Sequence, residues 1–111
     1  MTSKTGDVVI VRFPGAETTK TRTAVVLSSR LYHEYRPDAI IGLLTTKNGD
    51  SITPTNYVFK DWEVAGLHQP TAFHAYVVTV EKQILHSIGR LSERDRRGIL
   101  MCVNQAISFD G

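Results

Sequence analysis

The chain has 111 residues, 41% of them apolar and 22% charged, the size and composition of one globular domain over residues 1–111 rather than of a disordered or fibrous chain. A formal charge of +2 excludes the class whose net charge alone announces nucleic acid, so the placement of cations matters more than their number. The single Cys102 excludes an internal disulfide, no apolar run approaches the roughly 20 residues of a spanning helix, and Met1–Asp7 lacks a hydrophobic signal core. The expectation is a soluble, cytoplasmic protein.

The first strand is predicted from Asp7 to Phe13, where Val8, Val9, Ile10 and Val11 form a β-branched run ended by Pro14-Gly15. A polar, threonine-rich loop to Thr21 follows, expected to be exposed and to close over substrate. The second strand runs from Arg22 to Ser28 around Ala24–Leu27. Leu31–Arg36 forms one helical turn, closed by Pro37. The third strand spans Ala39–Thr45, and Lys47-Asn48-Gly49-Asp50 is the strongest turn signal in the chain. Short strands are expected at Asn56–Lys60, Thr71–Val80 and His86–Leu91, with a Gly66- and Pro70-containing connection from Asp61.

The last element reads as a helix. Ser92 is its N-cap, and Asp95 three residues later completes a box-like start. Ile99, Leu100, Val103, Ala106 and Ile107 recur as one apolar stripe. Gly98 costs this helix about 1 kcal/mol against alanine, so packing must compensate. Five or more short strands followed by a helix define a mainly β (α+β) fold, a small, strongly bent barrel with the helix on its flank.

Several chemistries find no support. His33, His68, His74, His86 and Cys102 match no zinc spacing, and there is neither a phosphate-binding glycine loop nor a nucleophile elbow, so no metal or cofactor is expected. Cys102 on the helix reads as a buried thiol, Trp62 as a packing residue, and Arg94, Arg96 and Arg97 as a solvated face or a partner contact. The informative polar residues stand at strand ends. Arg22 sits where the first loop meets the second strand, beside Lys20, while Thr45 and Thr46 end the third. A cation and a hydroxyl on neighbouring strand ends form a phosphate-sized site. By charge patterning alone, Arg22 is equally a solubilising surface residue.

GDVVIVRFP, TRTAVVLSS and AIIGLLTT, in that order, resemble the N-terminal half of the MazF/PemK family of toxin endoribonucleases. DWEVAGLHQPT and TVEKQILHSIGRLSERDRRGI resemble the segments that follow. The likeness covers nearly the whole chain. It implies an SH3-like bent β-barrel, a homodimer, a cognate antitoxin protein, and cleavage of single-stranded RNA without a metal. The family's catalytic arginine and threonine fall on Arg22 and Thr45, and Lys20, Thr21, Thr46, Lys47 and Tyr76 are implied to bind substrate. Two departures stand out. Arg22 is followed by Thr23 where relatives carry proline. The family's later basic–acidic pair falls on His74 and Tyr76 aligned from Pro70, or on Phe73 and Ala75 aligned from Thr79, so the chain is one residue short and no acid carries over. His74 is the resulting candidate acid or base, although neighbouring strand positions face opposite ways and only a bulge would let it replace an acid at position 75. A different class remains open: the CcdB-type toxin barrel, which inhibits DNA gyrase by binding and cleaves nothing. So does a catalytically dead RNA-binding barrel.

Overall fold

The structure is a computed structural model that describes residues 3–14, 19–46 and 53–110. Six strands form one antiparallel sheet: β1 (Asp7–Pro14), β2 (Thr19–Val26), β3 (Asp38–Thr46), β4 (Tyr57–Val58), β5 (Thr71–Glu81) and β6 (Leu85–Arg90). Their order is β4-β5-β3-β2-β1-β6, so the sheet is bent and open, with β4 and β6 at its edges. A short helix α1 (Arg30–Tyr35) joins β2 to β3, and α2 (Glu93–Ala106) closes the chain. The strands anticipated from the sequence are all present within a few residues, except that Asn56–Lys60 contracts to two paired residues. The Lys47–Asp50 turn lies outside the described residues.

The unbroken Val8–Val11 run is explained by burial on both faces of the sheet. Strand side chains alternate. Val8 packs with Val25, Leu44, Phe73, Ile99 and Cys102, whereas Val9 and Val11 pack with Ala24, Val26, Ile41 and Leu85 on the other face. Each such side chain contributes roughly 1.5–3 kcal/mol, so both clusters are needed to hold a sheet of this size. No helix among the described residues is long and apolar enough to cross a membrane.

Helix α2 is narrower in its packing than its sequence suggests. Asp95, Ile99 and Cys102 form the buried line, at i, i+4 and i+7. Leu100, one residue and some 100° round from Ile99, is exposed, and Ile107 lies beyond the last turn and is exposed too. Burial pushes the Cys102 thiol above its ordinary pKa, which keeps it protonated and inert.

The helix start is pinned by a network that only half matches a capping box. The Ser92 hydroxyl accepts from the Asp95 amide, as expected of an N-cap. The Asp95 carboxylate turns away from Ser92 and accepts from the Tyr57 hydroxyl and from the amides of Lys60 (3.0 Å) and Asp61 (2.8 Å). Desolvation, and then the bond to Asp95, pushes the Tyr57 hydroxyl well above the ordinary tyrosine range. Asp61 in turn accepts both arms of the Arg94 guanidinium, at 2.8 and 2.7 Å, and the Ser92 hydroxyl. That arrangement gives Arg94 a defined partner within the chain, where the sequence offered a solvated face or a contact with another protein.

Two predictions follow from this corner. Arg94, and after it Ser92, hold the Asp61 carboxyl down at about 2 against an ordinary 3.8. A carboxyl depressed in the folded state stabilises the fold above its unfolded pKa and loses that contribution as the pH falls through the folded value. Urea midpoints measured against pH should therefore drop between about pH 4 and 2, and Arg94→Ala should flatten that drop. An unaltered acid limb in the variant would show that the pair adds nothing. Gly98 supplies the second. A Cβ there would lie 2.0 Å from Cε1 of Tyr57, whose hydroxyl is fixed by Asp95. Gly98→Ala, worth about 1 kcal/mol to an isolated helix, should instead lower thermal stability, because overpacking costs roughly 1–3 kcal/mol.

Candidate active-site groove

At one end of the sheet, β2 and β3 present the residues singled out in the sequence. Arg22 lies opposite Val11 in the β1–β2 pairing, and Thr45 lies opposite Ala72 in the β3–β5 pairing. A groove of about 780 Å³ runs between them, with Thr21, Arg22 and Thr23 on one side, Leu44–Thr46 along the base, and Gly66–Gln69 with Thr71 forming the far wall. Ile10 and Ile88 complete its apolar floor.

The guanidinium of Arg22 makes one long hydrogen bond, from Nη2 to the Leu44 carbonyl at 3.4 Å, and no carboxylate pairs with it among the described residues. Most of its donors are therefore uncommitted. The Thr45 hydroxyl oxygen is buried and has no hydrogen-bond partner among the described residues. Leaving a buried polar atom unpaired costs about 1–3 kcal/mol, so a hydroxyl in this state on a groove wall is one that a ligand could satisfy. Guanidinium and hydroxyl together form a donor set suited to one phosphate.

The far wall is positioned first by close backbone contact with β6. Gly66 has φ +84°, and a Cβ on it would lie 2.3 Å from the Ile88 carbonyl oxygen. A glycine at this position allows the chain to turn in a left-handed conformation and rest directly on β6. Ala65 and Leu67 on either side are buried, and the Leu67 amide donates to the Trp62 carbonyl at 3.1 Å. Trp62 packs partly buried against the same core. At the end of the wall, the Thr71 hydroxyl donates to the Gln69 carbonyl at 2.8 Å and ties the connection to the first residue of β5. His68 and Gln69 are thereby held on the groove.

Of the residues singled out in the sequence, the structure brings Arg22, Thr45, Thr21 and Thr46 together on one groove. Lys20, opposite Phe13, is exposed and does not line it. Lys47 and most of the loop expected to close over substrate lie outside the described residues. His74 and Tyr76 stand away from the lining. His74 sits within a bulge in β5 and Tyr76 borders it: Leu43 pairs with Tyr76 and Leu44 with Phe73, so that the register passes over His74 and Ala75. Ala75 takes φ +62°, an uncommon conformation for a residue with a Cβ. The His74 and Tyr76 rings lie 6.1 Å apart. The bulge lies where the sequence left the family's later basic–acidic pair without a settled position, and it breaks the strict alternation of side chains there. His68, weighed in the sequence only as a metal ligand, lines the groove with Gln69 and Thr71, which motif reasoning passed over. Their one sequence signal was a polar His-Gln pair set between Gly66-Leu67 and Pro70, just before a strand.

Among the described residues, no group of three or more histidine, cysteine, aspartate or glutamate side chains is arranged to hold a metal ion. No protein of curated function matches the sequence. Among solved structures, an endoribonuclease in complex with its cognate antitoxin from a mycobacterial species superposes with TM-score 0.77 at 14% identity, covering 98% of each chain. The Mycobacterium tuberculosis toxin MazF-mt6 gives 0.71 at 18% identity, over 90% of this chain and 94% of that one. A MazE-MazF structure from Deinococcus radiodurans gives 0.72 at 11% identity, over 97% and 100%. These likenesses establish a shared fold. The family model of PemK-like, MazF-like toxins of type II toxin–antitoxin systems matches residues 4–107, and the chain belongs to that family.

Proposed function

We propose that this toxin is an endoribonuclease that cuts single-stranded mRNA without a metal and so arrests translation and growth, and that a cognate antitoxin protein blocks its groove. The observation that carries the reading is that the Arg22 guanidinium, with one long hydrogen bond, and the Thr45 hydroxyl, with none, among the described residues, share one groove. Family membership and fold neighbours called endoribonucleases, one of them with its cognate antitoxin, support it.

In this reading the RNA supplies its own nucleophile. The 2′-hydroxyl oxygen attacks the adjacent phosphorus, the bond to the 5′-oxygen breaks, and the products carry a 2′,3′-cyclic phosphate and a 5′-hydroxyl. The protein's task is to hold the phosphate in line and to stabilise the charge gathering on its oxygens. Arg22 binds two phosphate oxygens through its planar fork and carries a permanent positive charge. Thr45 donates its hydroxyl to the same phosphate. Thr21 and Thr46, which line the same groove, bind the neighbouring sugar–phosphate in this reading. The toxin acts as a homodimer, in keeping with its family.

The experiment compares an RNA oligonucleotide with the same sequence bearing 2′-deoxyribose at the cut position. The ribose form should be cleaved and the deoxy form bound but intact. Cleavage of both would exclude the 2′-hydroxyl route. A chain that cuts neither and inhibits gyrase supercoiling would belong to the gyrase-binding class.

A further inference from the structure

We infer that His68 is the general base of the RNA-cleaving groove, taking the proton of the attacking 2′-hydroxyl; the inference rests on the endoribonuclease reading above. Attack by an alcohol requires somewhere for its proton to go, and the groove offers few acceptors. Among the described residues that line it, Arg22 and His68 are the only ionisable side chains. Arg22 comes from β2; the residues contributed by β1, β3, β5 and β6 are threonines and apolar side chains, and the far wall adds only Gln69. A guanidinium holds its proton too tightly to serve as a base at neutral pH. Threonine hydroxyls and the Gln69 amide accept hydrogen bonds but cannot keep a proton. An imidazole nitrogen can take up a proton and release it again.

The placement is also fixed. His68 follows the buried Leu67, on a wall seated on β6 through Gly66 and tied to β5 through the Thr71–Gln69 bond. Its side chain is exposed on the groove, so substrate can reach it. His74, in the β5 bulge, does not line that groove. Any acid–base role implied by alignment for His74 passes in space to His68.

The proton balance is as follows. His68 accepts the 2′-hydroxyl proton as the 2′-oxygen bonds to phosphorus. The 5′-oxygen leaves with the electron pair of the broken bond and takes a proton from water. The resulting hydroxide removes the proton from the imidazolium, and the enzyme returns to its starting state.

The test is the pH dependence of single-turnover cleavage of an RNA oligonucleotide by wild type, His68→Gln and His74→Gln, with RNA affinity measured alongside. Wild type should show a rate that rises with pH and levels off as the imidazole loses its proton. His68→Gln should lose that limb and roughly 10² or more in rate, with RNA still bound. Imidazole added to the buffer should restore part of the rate to His68→Ala and none to Arg22→Ala. Because His68 is exposed, the folded state should survive, as checked by its melting curve. A His68→Gln enzyme with the wild-type profile overturns the inference while leaving the endoribonuclease reading intact. So does a loss confined to RNA affinity, or a limb that vanishes only in His74→Gln. A wild-type protein that cuts no RNA sinks both.

Discussion

Arg22→Ala should lower the rate of RNA cleavage by about 10²–10³, the loss expected when one preorganised donor to a developing charge is removed. The expectation comes from the competition for its guanidinium. Its single hydrogen bond among the described residues is the long one to Leu44, so little of its donor capacity is spent on the fold. No carboxylate stands among the described residues that line the groove, so none of them competes with a bound phosphate for the remaining donors. Arg22→Lys should recover little, because an ammonium is a point charge that cannot bridge two phosphate oxygens in a plane. Both variants should melt near wild type, since neither removes a core contact. His74→Ala, away from the groove, should cost far less. Single-turnover rates with circular dichroism on the same preparations separate these outcomes, and a folded Arg22→Ala protein that cuts RNA normally would remove the proposed site.

The largest stability effect is expected at Asp95. Its side chain is fully buried, at 0% exposure, and answers three donors: the Tyr57 hydroxyl and the amides of Lys60 and Asp61. Asp95→Ala would strand all three in a dry corner. With about 1–3 kcal/mol for each unpaired group, partly relieved by entering water, the net cost should be roughly 3–5 kcal/mol. That is a large share of the 5–15 kcal/mol typical of a domain, and the melting temperature should fall by more than about 10 °C. Asp95→Asn should lie between the two, because its carbonyl still accepts while its amide opposes a backbone donor. The groove is expected to suffer as well, since Asp95 anchors the 57–61 segment that leads into the far wall. A shift of less than about 1 kcal/mol by urea denaturation would show that the network is not what holds α2 in place.

The sequence was informative where interactions are local. β-Branched runs and turn residues located β1, β2, β3 and β5, and Ser92 marked the start of α2 because a cap is read within four residues. Arg22 and Thr45 stood out because polar residues at the ends of apolar runs are visible without a fold. What escaped notice depends on distant partners. The Asp95 carboxylate resembled half of a capping box, yet its partners lie 34 to 38 residues away. Arg94 resembled solvated charge until Asp61, 33 residues earlier, took its fork. His68 was weighed only as a metal ligand and dismissed, because nothing local reveals that Gly66 sets its loop on the backbone of Ile88. The β5 bulge entered the sequence reading only as the condition under which His74 could stand in for an acid at position 75. A bulge is a property of two strands, and its cause cannot be read from one.

The central claim is that this groove breaks RNA by attack of the 2′-hydroxyl. Its most direct test is the chemistry of the ends left when purified toxin is incubated with single-stranded RNA in excess EDTA. Mass spectrometry should find 2′,3′-cyclic phosphate on the upstream fragment and a free 5′-hydroxyl on the downstream one, both strongly reduced with Arg22→Ala over the same incubation. Ends bearing 5′-phosphate, or RNA left whole by the wild-type protein, would contradict the account.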